Sequence, residues 1–394
     1  VLSRNIHLYS TSRIVLAARA RGHEVTVVDP LEFQLVLSKG RPSLMLGNGP
    51  IPEVDLVIPR IGASITNYGL AVVRQFDLMG IPVLNNAVAI ARSRDKLRAM
   101  QLLTRRDVDV PRTVCAKSPA GLTSALSFVG GTPAIVKLQQ GAQGIGTMIA
   151  ETPQALTSLL ETLWAMGQDI ILQEYISESK GRDIRAFVVG GKVIASMRRQ
   201  AKAGEFRSNL HRGGEGVAVG LDREYARTAV LAAKIMGLDV CGVDMLEGRD
   251  GPKVLEINSS PGLEGIERTS GVDVATALIK HGEKLYAART MRGALSPDSE
   301  VSTDRVPLEP VPNPRKRSTP RAPTPTKTAA KTAAKTATAK KTAAKAAPQT
   351  APKTVAKTAA KTVAKTAAKT VAKTAPKTAA KTVTKTARKT AKTA

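Results

Sequence analysis

Beyond Pro312 the chain changes physical character, and that break limits what can fold. From Pro312 to Ala394 there are 22 Lys and Arg and no Asp or Glu. From Lys327 the residues run in near-repeats of Lys-Thr-Ala-Ala and Lys-Thr-Val-Ala. Such a segment carries too little apolar bulk to offset the entropy of ordering it. Lysines four apart would be neighbours on a helix, and their repulsion opposes that helix unless a polyanion relieves it. Residues 327–394 are therefore expected to be a disordered tail. Residues 291–326, with Pro297, Pro307, Pro310, Pro312 and Pro314, read as a linker. A packed core belongs to the residues before it.

Of the formal net charge of +27, residues 312–394 account for 22, which leaves +5 for the first 311 residues. The folded part is thus close to ordinary in charge, and polyanion binding would belong to the tail. Cys115 and Cys241 are the only cysteines, too few for a disulfide framework or a thiolate zinc site. They read as small buried residues in a reducing compartment. With no long apolar run and no signal-peptide pattern, a soluble, cytoplasmic protein with no membrane partner is expected. The sequence starts at Val1, already in strand-like residues, so a few residues are expected to precede it.

Val1–Ser3, a helical stretch Thr11–Arg21 and Glu24–Val28 read as β-α-β, followed by a strand at Asp55–Ile58, a helix at Leu70–Met79 and a short strand at Pro82–Leu84. This alternation predicts an α/β domain over residues 1–90, its parallel sheet covered by helices. No G-x-G-x-x-G follows the first strand, so a dinucleotide site is unsupported. Residues 91–290 form the second body. It opens with a basic helix over Ala87–Thr104 that carries Arg92, Arg94, Asp95, Lys96 and Arg98. A strand Ala134–Leu138, a glycine-rich loop over residues 140–146 and a strand Thr147–Ala150 follow. Further strands are expected at Ile170–Ile176 and in a hairpin about Gly190-Gly191, with helices at Arg223–Met236 and Val272–Tyr286.

The chemistry gathers near the end of that body. Gly242–Leu246 and Lys253–Ile257 flank a Gly-Arg-Asp-Gly-Pro turn and read as a hairpin. Strand alternation puts Val254, Glu256 and Asn258 on one face and Leu255 and Ile257 on the other. Asp244 can add a second carboxylate from the partner strand. Three oxygen ligands without His or Cys suit magnesium shared with a nucleotide; a hairpin with a wet acidic face would read the same.

Lys137 precedes the glycine loop, whose backbone N–H groups can approach phosphates closely. Lys96 is a second candidate phosphate contact, or a solvated helix residue. Gln173–Ile176 can offer backbone groups to an adenine edge. Asp183 can bind a ribose hydroxyl or pair with an arginine. The run from Arg207 to Gly214 mixes Arg, Asn, His and paired Gly, which suits anions. Arg207 can stabilise a transferring phosphoryl group and Asn209 can add a donor or metal contact. His211 reads as an orienting residue rather than a base.

The order of these parts resembles the ATP-grasp superfamily of carboxylate–amine ligases. Val57-Ile58-Pro59-Arg60-Ile61-Gly62, Ala91-Arg92-Ser93-Arg94-Asp95-Lys96-Leu97-Arg98, Phe206–Gly214 and Pro261–Glu267 are similar to motifs of the RimK family, over roughly residues 1–290. The resemblance implies an N-terminal α/β domain followed by two ATP-grasp subdomains. It also implies addition of L-glutamate to the C-terminus of a small-subunit ribosomal protein (S-six) through an acyl phosphate. By resemblance, Lys137 is the phosphate lysine, and Glu174 and Tyr175 are the adenine-side hinge. Asp183 is a nucleotide contact, Arg207, Ser208 and Asn209 form the loop at the triphosphate, and Asp244, Glu256 and Asn258 hold two magnesium ions, or manganese. Arg199, Arg207 and Arg212 are expected to orient the carboxylate-bearing substrates. The resemblance allows a homo-oligomer, and leaves open another amino acid or peptide as acceptor. The tail is outside the family pattern and looks like Lys/Ala-rich segments of linker-histone-like bacterial proteins, so contact with RNA or DNA, or a nucleic-acid-binding protein acting through it, is the other reading.

Overall fold

The computed structural model describes residues 1–139, 146–179, 181–208 and 213–295. The expected glycine loop up to residue 145, Asn209, His211, Arg212, the linker from residue 296 and the tail lie outside the described residues.

In the first ninety residues, helix α1 (Tyr9–Ala20), strands β1 (Phe33–Val36), β2 (Ser43–Leu46) and β3 (Gly49–Pro50), and helix α2 (Thr66–Leu78) follow in order. The four expected parallel segments do lie side by side, as single parallel bridges: Leu2 with Val28 and with Pro59, and Val57 with Val83. Backbone bonds from Leu2 N to Ile58 O (3.0 Å) and from Val57 N to Pro82 O (2.9 Å) hold them. The antiparallel β1–β2 hairpin is an addition that the sequence reading missed. Leu2, Phe33, Leu44, Val57, Ile61, Val72, Phe76 and Val83 form the core between these segments and α2.

Helices α3 (Ala87–Arg94) and α4 (Lys96–Thr104) correct the single helix expected there. Asp95 is extended (φ −84°, ψ 99°) and accepts from Arg98 N as the N-cap of α4. An aspartate that satisfies an orphan amide in this way starts a new helix more readily than it continues the old one. The break leaves Lys96 as the first residue of α4.

Strand β4 (Thr113–Ala116), helix α5 (Leu122–Phe128), strands β5 (Ala134–Leu138) and β6 (Thr147–Ala150), helix α6 (Pro153–Ala165) and strand β7 (Ile170–Glu174) come next. The strands form an antiparallel sheet in the order β4-β7-β5-β6. Val136, Ala150, Leu156, Leu160, Ile170 and Leu172 seal it against α6. Cys115 on β4 is exposed, contrary to expectation, while Cys241 is buried; β4 is an edge strand, so one side of it lacks cover.

Strands β8 (Arg182–Val189), β9 (Lys192–Gln200), β10 (Glu215–Ala218), helix α7 (Arg223–Met236), strands β11 (Val240–Gly248) and β12 (Gly251–Asn258), and helices α8 (Glu264–Ser270) and α9 (Val274–Leu295) complete the described chain. The β8–β9 turn uses positive φ at Gly190 (55°) and Gly191 (74°), the twist that a two-residue hairpin needs. The sheet runs β10-β9-β8-β11-β12 and is covered on both faces. Ile184, Ala186, Val188, Cys241, Val243 and Met245 pack against α4 and α7. Phe187, Val189, Met197 and Val240 pack with residues of α1, α8 and α9. No helix among the described residues is long and apolar enough to cross a membrane.

Candidate active site

The second of those two faces changes from apolar to ionic along its length, and the ionic end is where the predicted site residues meet. On β8, Asp183 and Arg185 alternate onto the side of Phe187; on β9, Arg199 follows Met197 onto it; on β11, Asp244 follows Val240 and Gly242. The registers set Asp183 opposite Arg199 and Arg185 opposite Asp244. Arg185 holds Asp244 in a two-pronged pair, with both bonds 2.6 Å long. Arg199 holds Asp183 in the same way at 2.6 Å and 2.6 Å, and reaches Asp244 Oδ2 at 2.8 Å. Two aspartates and two arginines thus form a charge-neutral quartet, with Asp183, Arg199 and Asp244 buried. Burial alone would raise the Asp244 pKa, but Arg185 and Arg199 hold it well below the usual carboxylate range.

This quartet corrects one expectation and shows one of two alternatives left open for Asp183. Arg199 is not available to a substrate carboxylate, because both aspartates occupy it. Asp183 takes the arginine pairing, and its Oδ2 also accepts from the Ser208 hydroxyl at 2.6 Å. The carboxylate therefore positions the start of the Arg207–Ser208 loop. Arg185 was not singled out by sequence reasoning; its only signal is the two-residue spacing from Asp183 on one strand face.

On β12 the geometry departs from simple alternation. Asp244 pairs with Glu256, but Met245 pairs with Val254, so Leu255 is an extra residue in a β-bulge. Val254 and Ile257 consequently both face the core, whereas the sequence reading put them on opposite sides. The bulge re-aims the strand and leaves Glu256 and Asn258 on the ionic face, across from Asp244 and Gly242. Glu256 is exposed and accepts from the Asn258 amide at 3.2 Å.

Two lysines approach the same carboxylate. Burial lowers the Lys137 pKa to about 8; Glu256 opposes that fall and Lys96 adds to it. Lys96 is likewise lowered by burial and supported by Glu256. Lys137 Nζ donates to Gln173 Oε1 at 2.6 Å, and Gln173 Nε2 donates to Thr113 Oγ1 at 2.9 Å. Lys96 Nζ donates to Leu138 O at 3.3 Å, just before the loop region. With the quartet neutral, these two cations against one Glu256 leave the cleft with an excess of positive charge, which suits an anion.

Arg207 lies against the other side of the loop region. It is paired with Glu205 through two side-chain bonds of 2.9 and 2.7 Å and reaches Thr147 O at 3.4 Å. Arg207 in turn holds the Glu205 pKa down to about 2. At the far edge, Glu174 accepts from Arg112 Nη2 (2.8 Å) and Arg112 N (3.1 Å). Its carboxylate is thereby occupied, and the backbone of Glu174 and half-buried Tyr175 is what that segment can offer a base edge. Asn85, also missed by sequence reasoning, is buried and donates to Val240 O (2.7 Å) and Ser259 O (3.1 Å). Its Oδ1 accepts from Asp239 N (2.8 Å) and Val240 N (2.9 Å). That amide ties the first ninety residues to the exit of β12.

Among the described residues no three or more His, Cys, Asp and Glu cluster as a metal site. The expected set is different in kind: two carboxylates and one amide. It fits a hard cation in part. Among the described residues Asp244 Oδ1 accepts from Arg185 Nε alone, and a carboxylate oxygen has two acceptor positions, so one remains. Among the described residues, the one hydrogen bond of Glu256 is to Asn258. Oxygen donors that cannot fill a coordination shell alone suit magnesium, which keeps waters and phosphate oxygens.

The chain is similar to known proteins over most of its length. A model of the RimK-like ATP-grasp domain matches residues 93–281, and one of the RimK pre-ATP-grasp domain matches residues 1–90. A probable alpha-L-glutamate ligase from Vibrio vulnificus is 52% identical over 284 residues, 72% of this chain and 94% of the relative. One of the same description from Ectopseudomonas mendocina is 53% identical over 284 residues, with the same 72% and 94% coverage. Among solved structures, the ATP-grasp ligase PsnB complexed with minimal precursor, Mg and ADP has a TM-score of 0.57 at 23% identity, covering 73% of this chain and 96% of that one. D-alanine–D-alanine ligase from Bacillus anthracis complexed with ATP has a TM-score of 0.53 at 17% identity, covering 72% and 93%. These last two likenesses concern the fold.

Proposed function

The chain belongs to the RimK-like ATP-grasp family, an ATP-using ligase family, and from that premise we propose that it adds L-glutamate to the C-terminal carboxylate of an S-six-type ribosomal protein. The observation that carries this reading is the convergence of Lys96 and Lys137 on Glu256, across the hairpin from Asp244. The relatives' names supply glutamate.

In the first step an acceptor carboxylate oxygen attacks the γ-phosphorus of ATP. A new O–P bond forms, the bond to the β-phosphate oxygen breaks, and ADP leaves. In the second step the amine of glutamate, having lost a proton, attacks the acyl carbon. The C–N bond forms and inorganic phosphate departs. No protein nucleophile is needed, so the protein supplies position and charge. Lys137 and Lys96 bind the phosphates. The backbone of Glu174 and Tyr175 receives the adenine. Asp183 positions Ser208, and with it Arg207, at the triphosphate; Asn209, outside the described residues, is proposed as a further contact there. For Arg207 to face the transferring phosphoryl group, its pairing with Glu205 must open, which makes Glu205 a resting partner for the cation. Asp244, Glu256 and Asn258 would hold magnesium, which neutralises phosphate charge when bound. Residues 1–90 form one wall of the cleft and residues 91–290 the ATP-grasp body. The tail, from its charge alone, is proposed to hold the enzyme on ribosomal RNA.

Intact-mass analysis after incubation with ATP, magnesium, glutamate and the S-six-type protein tests the reading. Glutamate-sized increments on that acceptor are expected. Increments only on another peptide would keep the ligase and replace the acceptor, a reading favoured by the precursor peptides in PsnB complexes. Glu256→Ala should lower ATP turnover by about a hundredfold or more while the protein stays folded, since Glu256 is exposed and among the described residues its one hydrogen bond is to Asn258.

A further inference from the structure

A cavity of about 280 Å³ opens beside Lys96, between α2 and the α3–α4 break, and Thr66, Arg94, Asp95, Lys96 and Gln139 supply its polar lining. Leu70 and Ala91 complete an apolar side. Arg94 is the unusual member. Its Nη1 donates to Thr66 Oγ1 at 2.9 Å and its Nη2 to the Ile61 carbonyl. Its buried Nε has no hydrogen-bond partner, and no carboxylate among the described residues pairs with it. Burial lowers its pKa. A guanidinium withdrawn from water without a counter-anion is costly; Nε is closed off from the cavity, so the second N–H of each Nη is what a ligand carboxylate there would meet.

Asp95 provides the opposite charge. Its Oδ1 caps α4 by accepting from Arg98 N at 3.0 Å, while the side chain is exposed and its second oxygen has no partner among the described residues. The lining therefore carries two cations and one anion. That is the mirror of an acidic amino acid, with two carboxylates and one ammonium. The volume suits so small a ligand. Lys96 also joins the cavity to the phosphoryl site through its interaction with Glu256.

We propose that this cavity is the binding site of the free acidic amino acid, with Arg94 facing one carboxylate, Lys96 shared between the other carboxylate and the ATP phosphates, and Asp95 facing its ammonium. The assignment rests on the glutamate reading above and gives that substrate a location. Bidentate arginine recognition would favour glutamate over glutamine, because an amide offers the guanidinium a single acceptor.

The test is steady-state kinetics on the full chain with each substrate varied in turn. Arg94→Gln should raise KM for glutamate by about tenfold or more and shrink the preference for glutamate over glutamine. KM for ATP and for the acceptor should stay within about twofold. Asp95→Asn, which keeps the helix cap, should raise KM for glutamate alone. Arg94→Lys, which keeps the charge, should fall between Arg94→Gln and the parent, and serves if Arg94→Gln fails to fold. If the parent uses glutamate while these variants keep its KM, the cavity assignment is overturned and the glutamate reading stands. A rise in the acceptor's KM instead also overturns it. A parent enzyme that takes no glutamate overturns both.

Discussion

Lys137 meets two opposing demands, and pH separates them. Burial lowers its pKa from 10.5 to about 8. Between those values the unfolded chain binds more protons than the folded one, so stability rises with pH across that window, and the cost of burying the ammonium is in full force below pH 8. Nucleotide binding runs the other way, because the triphosphate needs the charged form. Titration calorimetry between about pH 7 and 9.5 should show ATP affinity falling above pH 8, by up to about tenfold per unit. Lys137→Arg should flatten that fall. Arg199 gives a prediction of stability. Arg199→Met removes the counter-charge shared by buried Asp183 and Asp244 and should cost about 3–5 kcal/mol in urea unfolding. At this scale the sequence was informative for oxygen ligands and lysines, whose types declare their chemistry. It was uninformative for Arg199, whose neighbours come from other strands; nothing local distinguishes a substrate cation from one neutralised by two distant aspartates.

Among the elements, β12 carries the clearest lesson. Its hairpin partner and the Asp244–Glu256 pairing could be read from alternation and turn residues, but the bulge at Leu255 could not. A bulge depends on how a strand fits its neighbour, and Val-Leu-Glu-Ile is equally acceptable without one. The consequence is testable, because removing the extra residue restores regular alternation with Val254 and Ile257 inward and Glu256 outward. Deletion of Leu255 should give a folded protein with a lower melting temperature that still turns over ATP. Val254→Asp, by contrast, should unfold it by burying an unpaired charge (Val254 is 0% exposed). The helix over residues 87–104 was expected whole, and the cap at Asp95 divides it. There the signal was present, as an aspartate three residues before an available amide, but the helical pattern on either side concealed it. The β1–β2 hairpin was missed because its strands are only four residues each, too short for alternation to stand out.

For the whole molecule, the legible features were those of order: a mixed helix-and-sheet fold with its motifs in family sequence. The relation between bodies was not legible, since it depends on contacts such as Asn85 with Val240 and Ser259. The tail's role is tested by removing residues 312–394. Retention on ribosomal RNA should disappear in the truncated protein, while the full chain should show a log–log decline in binding with salt whose slope reports several phosphate contacts. Glutamate addition to a free acceptor should change little, because the described site residues all precede the tail. The Asn85 side chain has one further bearing on how the enzyme must work. With both amide hydrogens and both acceptor positions engaged, the first layer is bolted to the strand that carries Glu256. A gap wide enough to admit ATP must then come from swinging the sheet of Lys137 outward, so the rhythm of nucleotide exchange is set by the opposite jaw.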